Sequence, residues 1–140
     1  MKMVSYLLRL NMASIIIISG PEKDKYYPLG FRTNVIGRDE ALIIQVLDPR
    51  VSRKHMQIRF DKGKNSYSVI DMKSKHGVFI NGVQIEDEVV LNDNDYIQIG
   101  NTVILFALKD FDNRENALNH YKKVGERHHP TITTYTDKPY

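Results

Sequence analysis

Ser52, Arg53, Lys54 and His55, inside the stretch DPRVSRKHMQIRF (48–60), place a hydroxyl and an imidazole around two cations. Two chemistries suit such a set. A serine and a histidine can serve as nucleophile and base, or a hydroxyl among cations can hold an oxyanion. The first needs the two side chains to meet and a further group to orient the base, and their spacing at a strand entrance does not bring that about. No Gly-rich phosphate loop, HExxH sequence or paired carboxylate cluster accompanies them. The second chemistry draws on residues elsewhere in the chain. Arg38 lies in IGRDE, Arg50 in DPRVSRKH, and Lys73 and Lys75 in DMKSKHGVFING. A dianionic phosphate takes paired charge-assisted bonds from a planar guanidinium, one more from a short hydroxyl, and charge from a compact ammonium. Arg38, Ser52, and Arg53 or Lys75 supply those types. At this level a solvated turn, with Ser52 bonded to its own backbone, explains the same residues equally well.

The three stretches act together only if something gathers them. From Ser14 onward short apolar runs alternate with turn residues: SIIIIS before Gly20-Pro21, TNVIG, ALIIQVL before Asp48-Pro49, HMQIRF and SYSVIDM around DKGKN, and DYIQIG and TVILFAL around Gly100-Asn101. Met56, Ile58 and Phe60 alternate with Gln57 and Arg59, the period of a strand with one buried face. In DKGKN, Gly63 is the residue suited to the positive φ of a hairpin loop. About ten short strands at this spacing predict an all-β antiparallel sandwich, whose end loops can pool distant residues. After Lys109 the pattern changes. DFDNRENALNHYKKVGERHH offers Asp112 as an N-cap, acidic Glu115 in the first turn and Lys122 and Lys123 near the end, which predicts one helix over 110–126 packed by Phe111, Ala117, Leu118 and Tyr121. The expected organisation is a leader over 1–12, the sandwich over 13–109, the helix, and a flexible threonine-rich tail over 127–140.

At 140 residues one domain plus a tail is expected. The absence of cysteine excludes disulfides, cysteine metal sites and a thiol nucleophile. Twenty Lys+Arg against seventeen Asp+Glu give a net charge of +3, too mild to mark a nucleic-acid binder, and the cations are not interleaved with aromatic platforms. No apolar run has the roughly 18 residues of a membrane span. His128-His129, adjacent and before a proline, is a weak metal pair, so no metal or cofactor is expected.

Gly37-Arg38, then SRKH from Ser52 to His55, then SKHGVFING from Ser74 to Gly82 resemble, in order and in register on an all-β background, the forkhead-associated (FHA) domain family, over roughly Ser14 to Leu108. The resemblance implies an eleven-stranded β-sandwich whose loops at one end bind phosphothreonine peptides, with no catalysis. It implies that Arg38 and Ser52 bond the phosphate, that Arg53 and Lys75 add contacts, and that His55 braces the loops. Gly37, Gly77 and Gly82 are read as backbone devices, and Asn81 as a bracing amide. One position departs from the pattern. Where the family has asparagine to hold the peptide backbone, this chain has His76, which puts that grip in doubt and makes it sensitive to imidazole protonation between pH 5 and 8.

The reading is therefore a cytoplasmic module that recruits or senses proteins phosphorylated by a Ser/Thr kinase; the rival is an FHA-fold scaffold or oligomerisation domain independent of phosphate. Arg50 is the candidate specificity residue, selecting an acidic side chain at the third position after phosphothreonine. In the tail, Thr134 has Asp137 at that position, so phosphorylated Thr134 is a candidate ligand for self-association in trans. Neither nucleic acid nor membrane is an expected partner.

Overall fold

The computed structural model describes residues 12–127. Eleven strands follow in order: β1 (Ser14–Ser19), β2 (Tyr26–Pro28), β3 (Asn34–Gly37), β4 (Ile44–Gln45), β5 (Met56–Asp61), β6 (Ser66–Asp71), β7 (Val78–Ile80), β8 (Val83–Gln84), β9 (Val89–Val90), β10 (Tyr96–Ile99) and β11 (Thr102–Ala107), then one helix, α1 (Arg114–Arg127). They form two sheets. A six-stranded sheet has the order β2-β1-β11-β10-β7-β8 and a five-stranded sheet the order β4-β3-β5-β6-β9. Pairing is antiparallel except between β3 and β4, which run parallel over Ile36↔Ile44 and Gly37↔Gln45. β3 and β4 therefore both run toward the same end of the sandwich.

The core lies between the sheets. Ile15, Ile17, Ile104 and Phe106 from one sheet meet Ile36, Met56, Ile58 and Val69 from the other, all with no exposure. The uninterrupted apolar runs SIIIIS and TVILFA have a second cause. Ile16, Ile18, Val103, Leu105 and Ala107 point to the outer face of the same sheet, where Phe111 and Ala117 cover them with Leu118, Tyr121 and Val124 of α1. β1 and β11 are thus buried on both faces, so they lack the alternation of β5. The helix begins later than its sequence signals suggest. Asn113 is the N-cap, its Oδ1 accepting from the Asn116 N–H at 2.9 Å, and Asp112 precedes it.

Two turns show how local chemistry sets the hairpins. In the β5–β6 turn the left-handed residue is Asn65 (φ 48°) rather than Gly63; Asp61 Oδ1 accepts the Lys64 N–H and closes the loop without calling on glycine. Asn81 (φ 49°) and Gly82 (φ 84°) give the two-residue β7–β8 connection positive φ at both positions, the conformation an Asn-Gly pair favours. Among the described residues no helix is long and apolar enough to cross a membrane.

Candidate functional site

The three cationic stretches become three loops at one end of the sandwich, because β3 ends, β5 begins, and β6 gives way to β7 there. Their closest joint is backbone against backbone. Arg38 N–H donates to Ser52 O at 3.0 Å and Asp39 N–H to Arg53 O at 3.1 Å. Gly37 makes this approach possible, since a Cβ there would sit 2.1 Å from Arg53 O. Close approach, and not positive φ, is what this glycine supplies. Arg38 is thereby set beside Ser52, its Nε donating to Val51 O at 2.9 Å and its guanidinium otherwise turned to solvent.

His55 joins the second loop to the third. It has no exposure; its Nδ1 accepts the Ser52 N–H at 2.9 Å and its Nε2 lies 2.7 Å from Gly77 O. A backbone N–H can only donate and a carbonyl can only accept, so the ring is neutral with its proton on Nε2. Burial also pushes its pKa below 6.5, against the pull of the Gly77 carbonyl. Because Nδ1 is engaged by the Ser52 backbone and not by its hydroxyl, Ser52 and His55 do not form a nucleophile-base pair.

The Ser52 hydroxyl accepts the Lys75 N–H at 3.0 Å, which leaves its own proton to donate outward. The third loop is held by its own residues: Asp71 Oδ1 accepts from Ser74 N–H and Ser74 Oγ from Gly77 N–H, at 3.0 and 2.9 Å. Gly77 (φ 83°) turns the chain into β7. Arg53 is exposed, with Nη2 3.8 Å from Asp39 Oδ2, and Lys54, Lys73 and Lys75 are exposed as well. Arg50 and His76 face each other, Nη2 to Nδ1 at 3.4 Å. Burial, then the Arg50 and Lys75 cations, lower the His76 pKa below 6.5, so it is neutral at pH 7.

Asn81 does not join this cluster. Its amide spans to β10, Nδ2 donating to Asp95 Oδ1 and Oδ1 accepting the Tyr96 N–H, both at 3.0 Å, at the far end of β7 from Gly77. Gly82 lies in the same distant turn.

Sequence reading missed Asp48. Its carboxylate is 1% exposed; Oδ1 accepts the Arg50 N–H, and Oδ2 accepts Asn101 N–H at 2.8 Å and the Thr102 hydroxyl at 2.9 Å. The loop that carries Arg50 and Ser52 is therefore fastened to the β10–β11 turn as well. Gly100 (φ 56°) permits it, because a Cβ there would come within 3.0 Å of Asp48 Oδ2 and of Arg50 Cβ. The available signal was Asp48-Pro49, which reads equally as a turn. No cluster of His, Cys, Asp or Glu among the described residues is arranged for a metal, and His128 and His129 lie outside them.

A family model described as FHA domain matches residues 34–100. The chain is 33% identical over 81 residues to the mouse (Mus musculus) angiogenic factor with G patch and FHA domains 1, an alignment covering 52% of this chain and 11% of that protein. It is 30% identical over 99 residues to the oxoglutarate dehydrogenase inhibitor of Corynebacterium efficiens, covering 71% of this chain and 68% of that one. Among solved structures, an FHA domain studied for phosphothreonine-dependent interactions superposes with a TM-score of 0.62 at 26% identity, covering 71% of this chain and 99% of that chain.

Proposed function

Because the chain belongs to the FHA domain family, we propose that it reads phosphothreonine in proteins marked by a Ser/Thr kinase, recruiting or sensing them without catalysis. The observation that carries this reading is the junction of Arg38 with Ser52. Two backbone hydrogen bonds and a glycine that admits no side chain hold the Arg38 backbone against that of Ser52 and Arg53, with an exposed guanidinium on Arg38 and a hydroxyl proton left to donate on Ser52. In this reading Arg38 and Ser52 take the phosphate, and Arg53 and Lys75 add charge. His76 lies where the peptide backbone would run. Its neutral ring presents an N–H from Nε2 while Nδ1 accepts from Arg50. His55, Gly37 and Gly77 hold the loops, and Asn81 and Gly82 shape the opposite end. Binding a phosphopeptide asks for no cofactor. On this reading the cytoplasm is the place where such a phosphorylated ligand would be met.

Replacement of Ser52 by alanine removes one hydroxyl bond to the phosphate and also frees the Lys75 N–H. A loss of about 1 to 3 kcal/mol in binding is expected. Calorimetry with a phosphothreonine peptide checks it, and Ser52→Thr, which keeps a hydroxyl, should retain most of the affinity.

The reading as a whole is tested on an oriented array of phosphothreonine peptides with phosphoserine and unphosphorylated controls. Binding should require phosphothreonine and favour Asp or Glu at the third following position. Arg50→Ala should erase that acidic preference and leave phosphate dependence intact. An array indifferent to phosphate would favour a scaffold that works without it. Thr134, the proposed site of self-association when phosphorylated, lies outside the described residues.

A further inference from the structure

β4 is an edge strand, bonded to β3 on one side. Around it the chain alternates: Ile44 and Val46 are buried, whereas Ile43 and Leu47 are 86% and 55% exposed and Gln45 lies between them. Ile43 and Leu47 therefore point to the outer face, where no further strand among the described residues covers them. The solvent face of an edge strand is ordinarily polar or charged. Leu47 is also set among charges. Leu47 and Pro49 line the same shallow depression as Arg38, Arg53 and Asp39. The β6–β7 loop, with Lys75 and His76, contributes nothing to that depression. The proposed phosphate site thus has two unlike flanks: a cationic one toward Lys75, His76 and Arg50, and a second with aliphatic carbon on it. On the second flank Asp39 and Glu40 share the rim, so an acidic ligand residue is disfavoured there.

We propose that the ligand of this domain carries an aliphatic or aromatic side chain on one side of its phosphothreonine, which docks on Leu47 and Pro49. The inference rests on the phosphothreonine reading and adds a second requirement to it. The occupant is the phosphorylated partner's own adjoining segment, because the apolar patch is continuous with the cations that would hold its phosphate. A segment extended from Arg38 advances about 3.3 Å per residue, which puts Leu47 and Pro49 within a few residues of the phosphate. Half burial of a leucine-sized side chain there should favour it over serine by about five- to tenfold.

The test is a set of phosphothreonine peptides in which each of the four positions before and after the phosphorylated residue is in turn Leu, Ser or Glu. Each is measured by fluorescence anisotropy against the wild-type chain and a Leu47→Ser variant. Leu47 is exposed, so the variant should fold, and circular dichroism checks that it does. The expected result is a leucine preference of five- to tenfold confined to one side, lost in the variant, with the serine peptide bound equally by both proteins. Phosphate-dependent binding with no leucine preference at any position would overturn the inference and leave the phosphothreonine reading standing; so would a preference that persists in the variant. Equal binding of phosphorylated and unphosphorylated peptides would overturn both. Self-association of the unliganded chain that the variant abolishes would overturn the inference in favour of a second copy as the occupant.

Discussion

Arg38→Ala will lower affinity for a phosphothreonine peptide by roughly 100-fold or more while the chain stays folded. Each charge-assisted hydrogen bond to the phosphate is worth about 1.5 to 3 kcal/mol, a guanidinium gives two, and every 1.4 kcal/mol is tenfold. The fold should tolerate the loss. Arg38 is exposed, and within the protein its side chain supplies the Nε bond to Val51 O, so the melting temperature should drop by only a few degrees. The position of the loop depends on the Arg38 backbone N–H, which alanine keeps. Arg38→Lys separates charge from geometry: it retains the cation but not the planar fork, and should bind between wild type and alanine. Calorimetry decides the matter. An alanine variant with a normal circular dichroism spectrum and affinity within a few-fold of wild type would remove Arg38 from the site.

The second large effect is on stability. His55→Ala leaves the Ser52 N–H and the Gly77 carbonyl without their partner, at a ring that has no exposure. Each orphaned group costs about 1 to 3 kcal/mol, so with the vacated ring a loss of about 3 to 5 kcal/mol is expected. That corresponds to a fall in melting temperature on the order of 10 to 20 °C, with loss of phosphopeptide binding as the two loops part. A binding defect at unchanged melting temperature would instead put His55 in contact with ligand. The same residue makes the wild type acid-sensitive. Its folded pKa is depressed below 6.5, so well above pH 6.5 the ring is neutral in both states and imposes no penalty. As pH falls below that value the unfolded chain takes up a proton that the folded chain refuses, and stability declines. Denaturant titrations at pH 7.5 and 5.5 should show this slope reduced in His55→Ala, with a residual slope from His76 and His120, whose pKa values are lowered as well.

What was legible in the sequence, and what was not, divides along the distance between partners. Alternation in HMQIRF and the Gly100-Asn101 break announce β5 and the β10–β11 hairpin because strand period and turn chemistry are local. The three cationic stretches are legible too, since residue types survive without coordinates. Asp48 was not, because its meaning lies in Asn101 and Thr102, which only the closed sandwich brings near. The parallel β3–β4 pair was hidden likewise, β4 being two residues long and the run ALIIQVL reading as one ordinary strand. Gly63 and Asp112 misled for a different reason. Each is a good residue for its job, but Asn65 and Asn113 stand within two residues of them and the backbone used those instead.

The fastening of Asp48 to Thr102 also imposes an order in time. A chain emerging from the ribosome has Arg38, Ser52, His55 and Lys75 available long before Thr102, yet the loop bearing Ser52 gains its last fixed point only when β11 arrives. β11 is also the strand that pairs with β1 across nearly the whole domain, Ser14 against Ala107, and such distant pairings form late because loop closure must be met first. A nascent or truncated chain lacking its C-terminal hairpin would hold the side chains proposed for phosphate without their spacing. Competence to bind thus reports that synthesis and folding have both reached the end of the sandwich.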